Sequence, residues 1–178
     1  VLIEDEKEEF VGYTYLETEV KITRYRKVKT KDGQQYQLVF NLTPFYPEGG
    51  GQVGDTGVIE FQAEAIAIVD TKKENKLIVH FVDELPKNVN ASFVAKVNAV
   101  DRKASSRNHT ATHLLQESLR TVLGEHVLQK GSLVNPNYLR FDFTHFSKIE
   151  KVDLQKIEAD VNTKILENIN LNEHIDLS

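Results

Sequence analysis

The repeat of the apolar residues changes near residue 100, and that change restricts the chain to a mixed architecture. Before it, Val20 and Ile22, then Tyr36, Leu38 and Phe40, alternate with polar neighbours, the two-residue period of a half-buried strand. Lys31-Asp32-Gly33 supplies a turn between these runs. The stretches 58–69, 77–82 and 91–97 are also strand-like, with 70–75 as a hairpin loop between the first two. Short strands separated by turns predict a small barrel or sandwich over 10–97.

Beyond Asp101 the spacing becomes helical. Residues 104–123 predict one long helix, ended by Gly124. Its apolar side carries Ala111, Leu115, Ser118 and Val122, with Leu114 and Leu119 beside them. Residues 127–134 and 138–143 predict two strands joined through Asn135-Pro136-Asn137. Leu154, Ile157, Val161 and Ile165 mark a second amphipathic helix, and a further strand is expected near Leu171. The expected fold class is α+β: a glycine-rich β-barrel-like domain over 1–97, then an α-β-β-α helix-on-sheet domain over 98–178.

The residues that promise chemistry lie on either side of the change in period. His109 and His113 are four apart on the long helix, a spacing that turns two imidazoles to one face where a metal ion can bridge them. Packing is the ordinary explanation of such a pair, but these histidines lie off the apolar stripe, so they face solvent or a cleft. About sixty residues earlier runs Tyr46-Pro47-Glu48-Gly49-Gly50-Gly51-Gln52-Val53-Gly54-Asp55-Thr56-Gly57, whose glycines let backbone lie against a ligand. No Glu stands between the histidines, so the metalloprotease motif is absent. Of the other histidines, His80 has apolar neighbours and is expected to be structural. His126 is a weak candidate ligand, His145 a hydrogen-bonding residue, and His174 has no assignable role.

Composition narrows the setting. The 178 residues are 40% hydrophobic and 28% charged, without cysteine, and contain no run of the length a membrane span needs. A soluble, cytoplasmic protein without disulfides is expected. The absence of methionine marks Val1 as an unnatural start, so a piece of a longer protein is expected. The net charge of −5 weighs against an extended nucleic-acid footprint. Residues 101–145, however, hold six bases and four acids, a weak positive field suited to brief contact with an RNA end.

Four stretches in order, Thr43–Glu48 leading into the glycine loop, Asn108–Leu115 (NHTATHLL), Leu123–Val134 (LGEHVLQKGSLV) and Leu139–His145 (LRFDFTH), resemble the editing region of alanyl-tRNA synthetases and related free-standing editing proteins. The resemblance implies a β-barrel-like domain followed by an editing core, and hydrolysis of seryl-tRNA mischarged on the alanine tRNA, in a parent that also ligates alanine to tRNA with ATP. It implies zinc as cofactor, held by His109 and His113, and the tRNA acceptor end as partner. Gln129 matches a pocket position, where bonding to the serine hydroxyl would reject alanine. Thr43, Gly50, Gly51, Gln52 and Asp55 are further candidates for substrate contact on the glycine-rich side. Arg140 either touches the tRNA terminus or pairs with Asp142. Asn41 stands where many members of the family carry Asp.

One departure is large. The family completes its zinc site with a later Cys-x-x-x-His element, and this chain has no cysteine. A weak or empty metal site, little deacylation by the chain alone, and an exposed strand edge near 171–177 prone to self-association are therefore expected. A free-standing editing protein, a threonyl-type editing region and a non-catalytic tRNA-binding module are the alternatives.

Overall fold

In the computed structural model, residues 1–3, 8–30 and 33–169 are described. The β-rich part contains β1 (Glu9–Phe10), β2 (Glu17–Thr30), β3 (Gly33–Phe40), β4 (Leu42–Thr43), β5 (Gly57–Phe61), β6 (Glu64–Ile68), β7 (Asp70–Glu74), β8 (Leu77–Val82) and β9 (Ser92–Val97). There follow α1 (Ala99–Leu123), β10 (Gln129–Val134), β11 (Leu139–Phe143) and α2 (Lys151–Leu166). The class is α+β, as the change of period requires.

Seven strands form an antiparallel sheet in the order β6-β5-β9-β2-β3-β8-β7. The expected barrel is corrected here: the terminal strands β6 and β7 share no ladder, so the sheet is not closed. They are nonetheless consecutive, separated by Val69, whose N–H donates to Phe81 O at 2.9 Å. The sheet thus curls until its ends meet at one corner. Its concave side is filled by fully buried Ile22, Leu38, Phe40, Ile59, Val82 and Phe93, each stabilising by about 1.5–3 kcal/mol when removed from water.

Two local expectations also change. Residues 70–75 are not a hairpin loop, since Asp70–Glu74 is β7 and the reversal is confined to Asn75 and Lys76, both at positive φ (49° and 71°). That is the backbone a two-residue hairpin turn demands. The run 58–69 divides into β5 and β6, turning at Gln62 with φ 55°.

α1 begins five residues before the expected start. Asn98 caps it, its side-chain oxygen accepting from Asp101 N at 3.2 Å. Gly124 ends it at φ 112°, donating its N–H to Arg120 O. β10 and β11 pair antiparallel, and Asn135 Oδ1 closes their turn by accepting from Asn137 N and Tyr138 N, both at 2.9 Å. Leu119, Val127 and Ile157 form a second apolar cluster joined by Phe141 and Phe143, so both helices lie on one face of this hairpin. The element order is α-β-β-α, as expected. The strand expected near Leu171, the exposed edge at 171–177 and His174 lie outside the described residues. Among the described residues no helix is long and apolar enough to cross a membrane.

Candidate functional site

The glycine loop is a tight turn held from both sides. Gly49 N donates to Gln52 O (3.0 Å) and Gln52 N to Gly49 O (2.9 Å), with Gly50 at φ 59° and Gly51 at φ 82° between them. Two successive left-handed residues explain why glycine occupies both positions. Gly51 also has no room for a side chain, because a Cβ would stand 2.2 Å from Ser132 Oγ. That closeness lets the loop pair with β10: Val134 N donates to Gly51 O at 2.7 Å and Val53 N to Val134 O at 3.0 Å.

The turn aims Gln52 at the histidines. Gln52 is 5% exposed, and its Oε1 accepts from His109 Nδ1 at 2.9 Å. The proton is thereby fixed on Nδ1, and Nε2 is left with a free lone pair. The His109 and His113 rings stack with centroids 5.1 Å apart and planes at 23°. Burial first, and the neighbouring His113 second, hold the His109 pKa below its ordinary value, so the ring is kept neutral. Gly50 lies directly beneath, its missing Cβ 3.7 Å from His109 Cε1.

β10 brings Gln129 to the same assembly. Gln129 Nε2 donates to Ser132 Oγ at 3.2 Å, and Ser132 is the residue against Gly51. Asn108 Nδ2, on the turn of α1 before His109, donates to Asn135 O at 2.8 Å. Contacts therefore run unbroken from Gln129 through Ser132 and the glycine turn to Gln52 and His109.

Three nominated residues are placed elsewhere. Thr43 is completely buried, its hydroxyl 2.8 Å from His80 Nε2. Asp55 is also buried, accepting from Tyr46 N at 2.8 Å and pairing with Arg102. Arg140 is exposed and donates from Nε to Asp142 Oδ2 at 3.1 Å. It is paired across the hairpin with Leu133, on the opposite side from Phe141 and Phe143, which join the helix-facing cluster. A cavity of about 320 Å³ lined by Tyr25, Gln37, Glu74 and Leu77 shares no residue with the histidine assembly.

The arrangement fits zinc only in part. Two adjacent imidazoles, one with its tautomer fixed by an outer acceptor, suit a zinc ligand pair. Among the described residues, no group of three or more His, Asp or Glu side chains could hold a metal.

The sequence profile of tRNA synthetases class II (A) matches residues 2–120. The chain belongs to this family. It is 54% identical to the alanine–tRNA ligase of Flavobacterium psychrophilum over 98% of its own length and 21% of that protein's. The alanine–tRNA ligase of Christiangramia forsetii is 53% identical over 97% of the chain and 20% of the relative. That of Porphyromonas gingivalis is 48% identical over 93% and 19%. The chain thus spans about a fifth of the length of the curated relatives it matches.

Several residues that organise this class II (A) synthetase segment escaped the sequence reading. Arg102 donates to Asp55 Oδ1 and Oδ2 (2.9 and 2.7 Å from Nε), Gly12 O (2.7 Å) and Pro44 O (2.8 Å), fastening α1 to three separate loops. Ser132 was missed as the link between Gln129 and Gly51. His126 Nε2 lies 2.9 Å from His145 Nδ1, and Thr144 Oγ1 donates to His126 O at 2.8 Å, so both histidines close the open end of the β10–β11 hairpin. A helical spacing of seven puts Arg102 on the side of α1 that carries His109, but nothing local in the sequence signals its partners.

Proposed function

We propose that this chain carries the editing site of an alanine–tRNA ligase, hydrolysing the ester that joins serine to the alanine tRNA. The observation that supports the reading most is the Gln52–His109 hydrogen bond. It joins the glycine turn to a histidine pair in which His109 Nε2 keeps a free lone pair, beside Gln129 on a strand tied to the same turn. In this reading residues 1–97 and 98–178 act as two domains whose junction forms the cleft, and the partner is the acceptor end of a mischarged tRNA.

His109 and His113 would supply two ligands to zinc, which when bound lowers the pKa of water and polarises an ester carbonyl. Gln52 orients His109 and stabilises its Nδ1–H tautomer. Gly50 leaves its backbone bare beside His109 for the substrate to approach, and Gly51 seats the turn against β10. The Gln129 amide, oriented by Ser132, keeps its oxygen available to accept from a serine hydroxyl. Alanine offers no such donor, so that hydrogen bond would not form and alanine would bind less well than serine.

The test is deacylation of seryl-tRNA by a ligase containing this chain. His109→Ala with His113→Ala is expected to abolish clearance while aminoacylation continues, and robust clearance by the double variant would overturn the reading. Ligand count favours a second statement about the chain alone. Two imidazoles without a third strong ligand hold zinc loosely, so calorimetric titration of the chain is expected to give weak binding and little hydrolysis. A tight one-to-one isotherm in the nanomolar range would contradict this.

A further inference from the structure

The densest run of basic residues lies outside the histidine assembly. Residues 20–47 contain six bases (Lys21, Arg24, Arg26, Lys27, Lys29, Lys31) and one acid, Asp32, in a chain whose net charge is −5. Most of these bases stand on β2, in the longest hairpin of the sheet. β9 pairs with β2 only from Glu17 to Lys21, and β8 with β3 only from Tyr36 to Leu38. Beyond Lys27 and Tyr36, β2 and β3 pair with each other alone, down to Thr30 opposite Gly33. The result is a two-stranded arm.

The arm is basic on a defined row. Lys27 and Lys29 are opposite Tyr36 and Gln34, both lysines are exposed, and neither is in an ion pair among the described residues. Lys27 Nζ stands over the Tyr36 ring, 5.8 Å from its centre. The two ammonium groups are two strand residues apart, about 6.6–6.8 Å along the chain, comparable to the repeat of consecutive phosphates on an RNA strand. On the face of the two lysines the partner strand contributes Tyr36 and Gln34 and no carboxylate, whereas Gln35 and Gln37, on the other face, are bonded to Asp83 and Arg26. Arg26 is different: it is engaged with Gln37 and Glu74 and acts as a brace.

We propose that the β2–β3 arm binds the phosphate backbone of RNA through Lys27 and Lys29. This rests on reading tRNA as the partner and deepens it by naming a contact surface separate from the histidine cleft. A solvated surface ordinarily interleaves both signs, whereas Lys27 and Lys29 repel each other along one strand with no carboxylate opposite either. Phosphate neutralisation offsets that repulsion and releases counterions. Edge protection by lysine is the rival explanation, and it makes no demand on RNA.

The experiment is fluorescence anisotropy of a labelled alanine-tRNA transcript titrated with this chain between about 50 and 200 mM salt. Wild type is expected to bind with affinity falling linearly on a log–log plot. In Lys27→Gln with Lys29→Gln the slope is expected to flatten by roughly 1.5–2. Lys87→Gln with Lys156→Gln, an equal change of charge elsewhere, is expected to retain the wild-type slope. An unchanged slope in the arm variant, with wild type binding, overturns the arm and leaves the tRNA reading intact; aggregation of that variant with unchanged tRNA binding favours edge protection. Absence of salt-dependent binding by wild type overturns both for this chain. Binding to vesicles of phosphatidylserine and phosphatidylcholine, without binding to tRNA, would make the arm a membrane contact.

Discussion

Gln52 determines which nitrogen His109 presents. With Gln52 Oε1 accepting from Nδ1 at 2.9 Å, the ring is locked both in rotation and in tautomer. Gln52→Ala leaves the half-buried Nδ1–H unpaired and the ring free to turn. Loss of such an outer-shell partner costs roughly 10–100-fold in metal affinity or activity, so seryl-tRNA clearance by a ligase containing this chain is expected to fall by that range. Aminoacylation serves as the control for folding, and clearance equal to wild type would show that the bond is incidental. The histidine pair and the glycine turn were legible because each is a local signal: one is helical spacing, the other a backbone demand only glycine meets. The inward direction of Thr43 and Asp55 was not legible. Both belong to the same conspicuous stretch, and which of its side chains point inward depends on His80 and Arg102, 37 and 47 residues away.

At the scale of elements, the position of α1 depends on Arg102. Its guanidinium is 13% exposed and its partner Asp55 is 5% exposed, so this is an interior ion pair in which each guanidinium nitrogen donates to a carbonyl or carboxylate. Breaking such a pair from one side costs about 3–5 kcal/mol, because the other charge is left buried. Asp55→Ala is therefore expected to lower the free energy of urea unfolding by that amount, and Asp55→Ala with Arg102→Met by less than the sum of the single changes. Two single-variant losses below about 1 kcal/mol would show a surface-like pair of the weak kind. Sequence periodicity foresaw α1, its glycine stop, the β10–β11 hairpin and α2, all set by local spacing. It misjudged Asp70–Glu74 because four of its five residues are charged, a composition typical of loops. As a terminal strand of the sheet, β7 can direct such side chains to water while pairing with β8 on one edge.

For the whole molecule, strand order was the feature least visible in the sequence, since the order β6-β5-β9-β2-β3-β8-β7 depends on pairings between distant segments. The curl of that sheet encloses His80, which has no exposed surface. Its Nδ1 donates to Leu38 O at 3.2 Å, so Nε2 accepts from the Thr43 hydroxyl at 2.8 Å, and the Phe40 ring lies 4.2 Å from the imidazole centre. Burial lowers its pKa from 6.5 to about 3, against the opposing effect of the Leu38 carbonyl. A histidine shifted down binds its proton more readily in the unfolded chain than in the folded one. Between pH 6.5 and about 3 the unfolded state therefore gains protons first, and stability falls as pH falls. Above 6.5 this residue is neutral in both states and contributes no slope. Linkage sets the steepest loss at about 1.4 kcal/mol per pH unit. Urea unfolding of this chain at pH 7.5 and 5.5 is thus expected to differ by about 1.4 kcal/mol from His80 alone, before most carboxylates titrate. His80→Gln, which can still donate to Leu38 O and accept from Thr43, is expected to lose that increment while keeping most of its stability at pH 7.5. Equal pH dependence in the variant and the wild type would mean that His80 accepts a proton inside the folded sheet, and the enclosed core described here would be wrong.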